Sequence, residues 1–174
     1  MGSVTGPLRD PAHRVSRRAI ALWLVEALIG FVLLVGGAAA VALWIDGAGL
    51  PGVAGWLSRH AWALPVAVGA VMLPFVVLEP LLRYAVHRWE LSGDVVYARS
   101  GWLSREWVFV PVGRIQTVDT AQGWFERALR LATLRIRTAS HAGSSTINGL
   151  DAEVAGRLAE ELARRAELLR DDAT

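Results

Sequence analysis

The chain has 174 residues, 18 cationic and 16 acidic side chains, a formal net charge of +2, and no cysteine. That excludes a disulfide framework, a thiolate nucleophile and any Cys-containing metal site. Every basic residue outside the four His is Arg, which beside abundant Ala, Gly and Val reads as the bias of a GC-rich bacterial genome, so an Arg is not in itself evidence of a phosphate contact.

Residues 1–18 read as a basic tail, with Arg9, Arg14, Arg17 and Arg18 set against Asp10. Residues 19–82 hold two apolar stretches, Ala19 to Ile45 and Ala61 to Leu82. A helix needs about 20 apolar residues to cross roughly 30 Å of hydrocarbon, and both stretches qualify. They predict a hairpin of two transmembrane helices. A cleaved signal peptide is the rival for the first, but the run is long for an h-region. Arg14, Arg17 and Arg18 precede the first span, and Arg83 and Arg88 follow the second, which places both termini in the cytoplasm. Trp44, Trp56 and Trp62 gather near the outer turn at Asp46 to Gly52, as an interfacial aromatic belt would. Pro65, Pro74 and Pro80 are expected to bend the second helix. Gly36 to Ala40 offers a small-residue face for close helix contact. Glu26 and Glu79 are intramembrane polar candidates, since a carboxylate inside a span is a functional hypothesis by default. The plainer reading pairs Glu79 with Arg83 four residues on and lets Glu26 snorkel or bond a neighbouring helix.

Residues 83–174 then form one small domain, with strand pattern expected from Tyr84. Val95–Arg99, Arg105–Val110 and Arg114–Asp119 read as strands. Ser92-Gly93-Asp94 reads as a turn, and an imperfect alternation at Ile115 and Val118 suggests a bulge. Trp124 to Leu131 is expected to make one or two helical turns. Leu134, Ile136 and Thr138 alternate inward along the next strand, and Ser145–Ile147 is a further one after a loop with His141 and Gly143. Asp151 is placed as N-cap of a last helix whose apolar stripe is Val154, Leu158, Leu162 and Leu169, with Ala155, Ala159 and Ala166 beside it. Six or seven strands closed by one amphipathic helix give an α+β domain with a curved antiparallel sheet or sandwich.

Four segments carry a resemblance. They are Arg99-Ser100-Gly101-Trp102-Leu103-Ser104-Arg105, Val110 to Asp119, Leu131 to Ala139, and Gly149-Leu150 before the helix. In this order and spacing the chain resembles the bacterial pleckstrin-homology-like domain of YdbS-type membrane proteins, over roughly Tyr84 to Arg164. The preceding pair of spans matches that layout. The resemblance implies two near-orthogonal antiparallel sheets, seven strands in all, capped by a C-terminal helix. It carries over no catalytic residue. The family pattern has Pro where this chain has Trp124, and Gly where it has Arg130.

Chemistry is sparse. His13, His60, His87 and His141 show no metal-ligand spacing, and a phosphate-binding loop with its lysine is impossible here. No enzyme activity, cofactor or metal is expected. Residues 83–137 carry nine Arg against five acids, and residues 138–174 four Arg against seven acids. Arg83, Arg88, Arg99 and Arg105 are candidate lipid-facing cations. Arg127, Arg130, Arg135 and Arg137 form a second basic cluster for lipid or a partner. A nearly balanced domain charge argues against nucleic acid. The expected function is a non-enzymatic inner-membrane scaffold or accessory subunit holding the domain at the cytoplasmic face. The resemblance implies a YdbT-like membrane protein or a second copy as partner, membrane lipid as surroundings, and a place in envelope-stress or antimicrobial-peptide tolerance. The alternatives are a specific anionic-lipid headgroup binder and a small oligomeric transport component using Glu26.

Overall fold

A computed structural model describes residues 10–48, 55–56, 60–101, 105–139 and 144–171. The centre of the outer turn, the loop with His141 and Gly143, and the Trp102-Leu103-Ser104 stretch lie outside them. The chain divides into two units, residues 21–81 and a second made of 1–20 together with 82–174.

The first unit is the helix pair. Helix α1 spans Arg18–Gly47 and α2 spans Ala63–Val86. At 1.5 Å per residue they measure about 45 and 36 Å. Both are long and apolar enough to cross a membrane. Their outward side chains are large and apolar; Leu33 is 70% exposed and Val66 is 70% exposed. Such faces are stable only if something apolar covers them. The two helices approach at Gly69, where an added Cβ would stand 3.8 Å from Val35 and 3.9 Å from Phe31. A Cβ added at Gly36 or Gly37, in the expected small-residue face, would meet nothing within 4 Å. Trp44, Trp56 and Trp62 are exposed around the turn.

The second unit is an α+β domain of two antiparallel sheets and a capping helix. Its first sheet runs β1 (His13–Arg14), β2 (Arg88–Ser92), β3 (Val95–Ser100) and β4 (Glu106–Pro111), in that order. The second runs β5 (Ile115–Ala121), β6 (Leu131–Thr138) and β7 (Ser145–Asp151). A short helix α3 (Trp124–Ala128) connects β5 to β6, and α4 (Ala152–Asp171) closes the domain. Gly93, at φ +55°, supplies the left-handed residue of the two-residue β2–β3 turn. The bulge expected near Ile115 is present as a register shift between Ile115 and Thr117.

Alternation along the strands builds the core. Val96, Val110, Leu134, Ile136, Ile147 and Leu150 are buried, and α4 lays Ala155, Leu158, Leu162 and Ala166 over them. These α4 positions recur at three- and four-residue intervals, so they form one stripe. Val154, Ala159 and Leu169 flank it half-buried. Full burial of a Leu contributes about 1.5–3 kcal/mol, so Leu158 and Leu162 do much to hold the helix down.

Two expectations need correction. Strand does not begin at Tyr84, because α2 continues to Val86. The helix ends where His87 satisfies the Arg83 carbonyl twice, from its backbone N at 2.9 Å and from Nδ1 at 2.8 Å. Asp151 stands directly before α4, the position expected of its N-cap, and its carboxylate accepts a hydrogen bond from Ser16 Oγ at 2.9 Å. Finally, residues from Asp10 onward pack into the domain rather than forming a tail apart from it. β1 pairs with β2, His13 opposite Trp89 and Arg14 opposite Arg88. Pro11 and Val15 are buried, Ala12 N donates to Glu90 Oε2 at 2.9 Å, and Ser16 N donates to Gly149 O at 2.8 Å. The seventh strand of the domain therefore comes from before α1.

Arg130 sits at φ +56° between α3 and β6. A side chain in the left-handed region costs roughly 1–2 kcal/mol, which glycine avoids. Arg130→Gly is therefore expected to hold or raise domain stability by up to about 1 kcal/mol, and Arg130→Val to lower it. Thermal melts of the two variants in one detergent check this.

Candidate membrane and partner interface

Register places three guanidiniums on one row of the first sheet. Arg14 faces Arg88, Arg88 faces Arg99, and Arg99 faces Trp107. Residues directly opposite in antiparallel strands project to the same side. The neighbouring row on that side holds Glu90, Tyr97 and Phe109, with the Tyr97 and Phe109 rings edge-to-face at 5.1 Å. The opposite side carries the core residues Val96, Ala98 and Val110.

The row is unequal in its freedom. Arg99 is only 7% exposed; Nε donates to Val86 O at 2.9 Å, and Nη1 pairs with Asp10. Its charge is satisfied inside the domain, so of the four cations expected to face lipid, Arg99 is not a surface group. Arg14 stacks over the Tyr84 ring at 5.8 Å. Arg88 is half-buried, and its Nε, like Trp107 Nε1, has no hydrogen-bond partner among the described residues. Arg83 is half-buried in the last turn of α2, and Arg105 is exposed just before β4.

The second basic cluster is two patches. Arg127 and Arg130 belong to α3 and its exit, while Arg135 and Arg137 are exposed on the outer face of β6, opposite Asp119 and Thr117. Sequence reasoning missed what lies beside the first pair: Trp124 is 93% exposed and Phe125 is 50% exposed. Its only signal was Trp standing where the family pattern has Pro. That position is the first residue of α3, where a proline fits because no intrahelical donor is lost. Glu26 is exposed on α1 and Glu79 half-buried on α2.

His87 joins α2 to β2 and is buried. Burial, ahead of the nearby Arg83 charge, pushes its pKa below the usual histidine value, against the raising effect of its bond to the Arg83 carbonyl. A His with a lowered folded pKa favours the native state fully above the unfolded value of about 6.5. That contribution is lost as pH falls from there through the folded pKa, because the unfolded chain takes up the proton first. The domain is thus expected to lose stability on acidification below about pH 6.5, and His87→Gln to flatten that dependence. Denaturant midpoints of both proteins across pH 5 to 8 test it.

Among the described residues no group of three or more His, Cys, Asp or Glu could hold a metal ion. The model of the family described as "Bacterial PH domain" matches residues 19–166. The chain belongs to the bacterial PH domain family. It is also similar to the UPF0699 transmembrane protein YdbS of Bacillus subtilis (strain 168), at 31% identity, with 94% of this chain and 98% of that protein aligned. No solved structure matches. Pleckstrin-homology-like domains are non-catalytic scaffolds that commonly mediate protein or lipid interactions, and a scaffold role at a membrane is consistent with a member that carries two such apolar helices.

Proposed function

We propose that the chain is an inner-membrane scaffold or accessory subunit. α1 and α2 cross the bilayer as a hairpin, both termini are cytoplasmic, and the domain is held at the cytoplasmic face to dock a partner. The observation that carries this reading is the pairing of β1 with β2. β1 precedes both apolar helices and β2 follows both, so two segments hydrogen-bonded in one sheet must share a compartment. Only an even number of crossings allows that. The Arg residues flanking both inner ends support the cytoplasm as that compartment. Likeness to a transmembrane YdbS protein supports the membrane setting.

A YdbT-like membrane protein or a second copy is the partner of this reading, with tolerance of envelope stress or membrane-active peptides as the process. Alkaline phosphatase fused after Thr174 is expected to be inactive and a cytoplasmic reporter active at the same position; the reverse pattern would overturn the topology. Affinity capture in mild detergent, followed by mass spectrometry, is expected to bring down a second integral membrane protein or a homo-oligomer. A monomer without companions would remove the scaffold reading. The two unpartnered donors, Arg88 Nε and Trp107 Nε1, favour a second reading as an anionic-headgroup binder. Its mark would be retention on phosphatidylglycerol vesicles that Arg88→Gln abolishes.

A further inference from the structure

We propose that α3 is an interfacial anchor, inserting Trp124 and Phe125 into the headgroup layer of the bilayer that holds α1 and α2. The inference rests on reading those two helices as membrane spans. It starts from a conflict. A Trp side chain is among the largest apolar surfaces a protein can bury, yet Trp124 is 93% exposed, with Phe125 next to it at 50%.

The exposure is enforced by the local structure. Glu126 accepts from Gly123 N at 2.6 Å through Oε2 and from Thr133 Oγ1 at 2.7 Å through Oε1. Gln122 Nε2 donates to Leu131 O at 2.8 Å, and Ala152 N donates to Arg130 O at 3.0 Å. These bonds tie both ends of the β5–β6 connection to the sheet and to the start of α4. α3 is a preorganised tip, so inserting its two rings orders little that is not already ordered.

Its place in the domain identifies the occupant. Leu131, which follows the tip, pairs with Asp151 at the end of β7. Asp151 accepts from Ser16 Oγ and lies 3.9 Å from Arg18, the first residue of α1. The tip therefore occupies the end of the domain from which the chain departs into α1. Arg17, Arg18, Arg127 and Arg130 are all exposed at that end. Trp settles at the membrane–water interface, and Arg beside it gains from an anionic leaflet. A rigid Trp-Phe tip ringed by Arg, on the end that leads into a span, has the chemistry of lipid headgroups and the first few carbons beneath them.

The absence of cysteine makes single-site labelling clean. The full chain is placed in nanodiscs of phosphatidylethanolamine and phosphatidylglycerol, with a nitroxide on Ala128→Cys at the tip, where residue 128 is exposed, on Leu168→Cys at the other end of the domain, or on Val32→Cys within α1. Collision with a water-soluble nickel chelate is then read. The Ala128→Cys label is expected to be several-fold better protected than the Leu168→Cys label, and the Val32→Cys label to be the most protected. A second measurement adds Trp124→Ser to the Ala128→Cys chain, whose protection is expected to fall several-fold. Equal exposure at positions 128 and 168, with position 32 still protected, would overturn the anchor and assign the tip to a protein partner. Exposure at position 32 would overturn the membrane reading itself, a separable failure.

Discussion

Leu162→Asp is expected to unfold the domain. Leu162 is fully buried in the middle of the α4 stripe, between Leu158 and Ala166. The substitution removes an apolar side chain and places a carboxylate among apolar neighbours. The combined cost is about 4 kcal/mol or more, a large part of the roughly 5–15 kcal/mol that holds a small domain together. Arg164→Ala, on the exposed face of the same helix, is expected to cost less than about 0.5 kcal/mol, since it breaks only a surface pair with Glu161. Arg165→Ala falls between. Its Nη1 donates to Gly93 O at 2.8 Å across to the β2–β3 turn, and its Nε meets Glu161 at 2.5 Å. Hydrogen exchange across β6 and β7 in the full chain ranks the three. Equal protection in all three would mean that α4 does not close the core.

Residues 82–174 expressed alone are expected to fail to fold, whereas a fusion of residues 10–17 to 82–174 through a flexible linker folds. Without the leading segment β2 becomes a bare edge, and the bonds of Ala12 and Ser16 to Glu90, Gly149 and Asp151 are lost. Arg99 keeps only its bond to Val86 O and becomes a buried charge without its carboxylate. Asp10→Asn in the full chain isolates that last effect. It is expected to cost about 1–3 kcal/mol, less than a fully buried pair because the Asp10 side chain is itself half-exposed. A folded 82–174 fragment, judged by dispersed amide resonances, would show β1 to be dispensable.

The parts of the fold legible in the sequence are those with a repeating pattern. The apolar runs gave the two helices, the alternation through Leu134 and Ile136 gave β6, and the spacing of Leu158 and Leu162 gave the closing helix. What was hidden has no periodicity to read. β1 is two residues long, so no alternation can reveal it, and its partner β2 lies more than seventy residues away. The end of α2 was misplaced because Tyr84 and Val86 favour strands, while a helix already formed continues until a capping group ends it. Arg99 looked like the cations around it. Only its contacts in the folded domain show that it turns toward Asp10 and the Val86 carbonyl. The tip at Trp124 was legible as a departure from a pattern, but its exposure depends on Glu126, whose bond to Thr133 on β6 no local pattern announces.

Because its sheet is completed by residues from both sides of the hairpin, the proposed topology ties the maturation of the domain to membrane insertion. The ribosome delivers Asp10 to Ser16 first, then both helices, and only afterwards β2 to β7. In that proposed topology the leading segment waits in the cytoplasm, with its strand partner not yet made, while two spans are threaded. A molecule whose second helix failed to return would leave β1 and β2 in different compartments, with Asp10 and Arg99 separated by a bilayer. No amount of local refolding could join them, and the orphaned sheet edge would be open to proteolysis. Under the proposed topology the strand pairing is thus a built-in check on insertion: only a correctly threaded chain can finish its own domain.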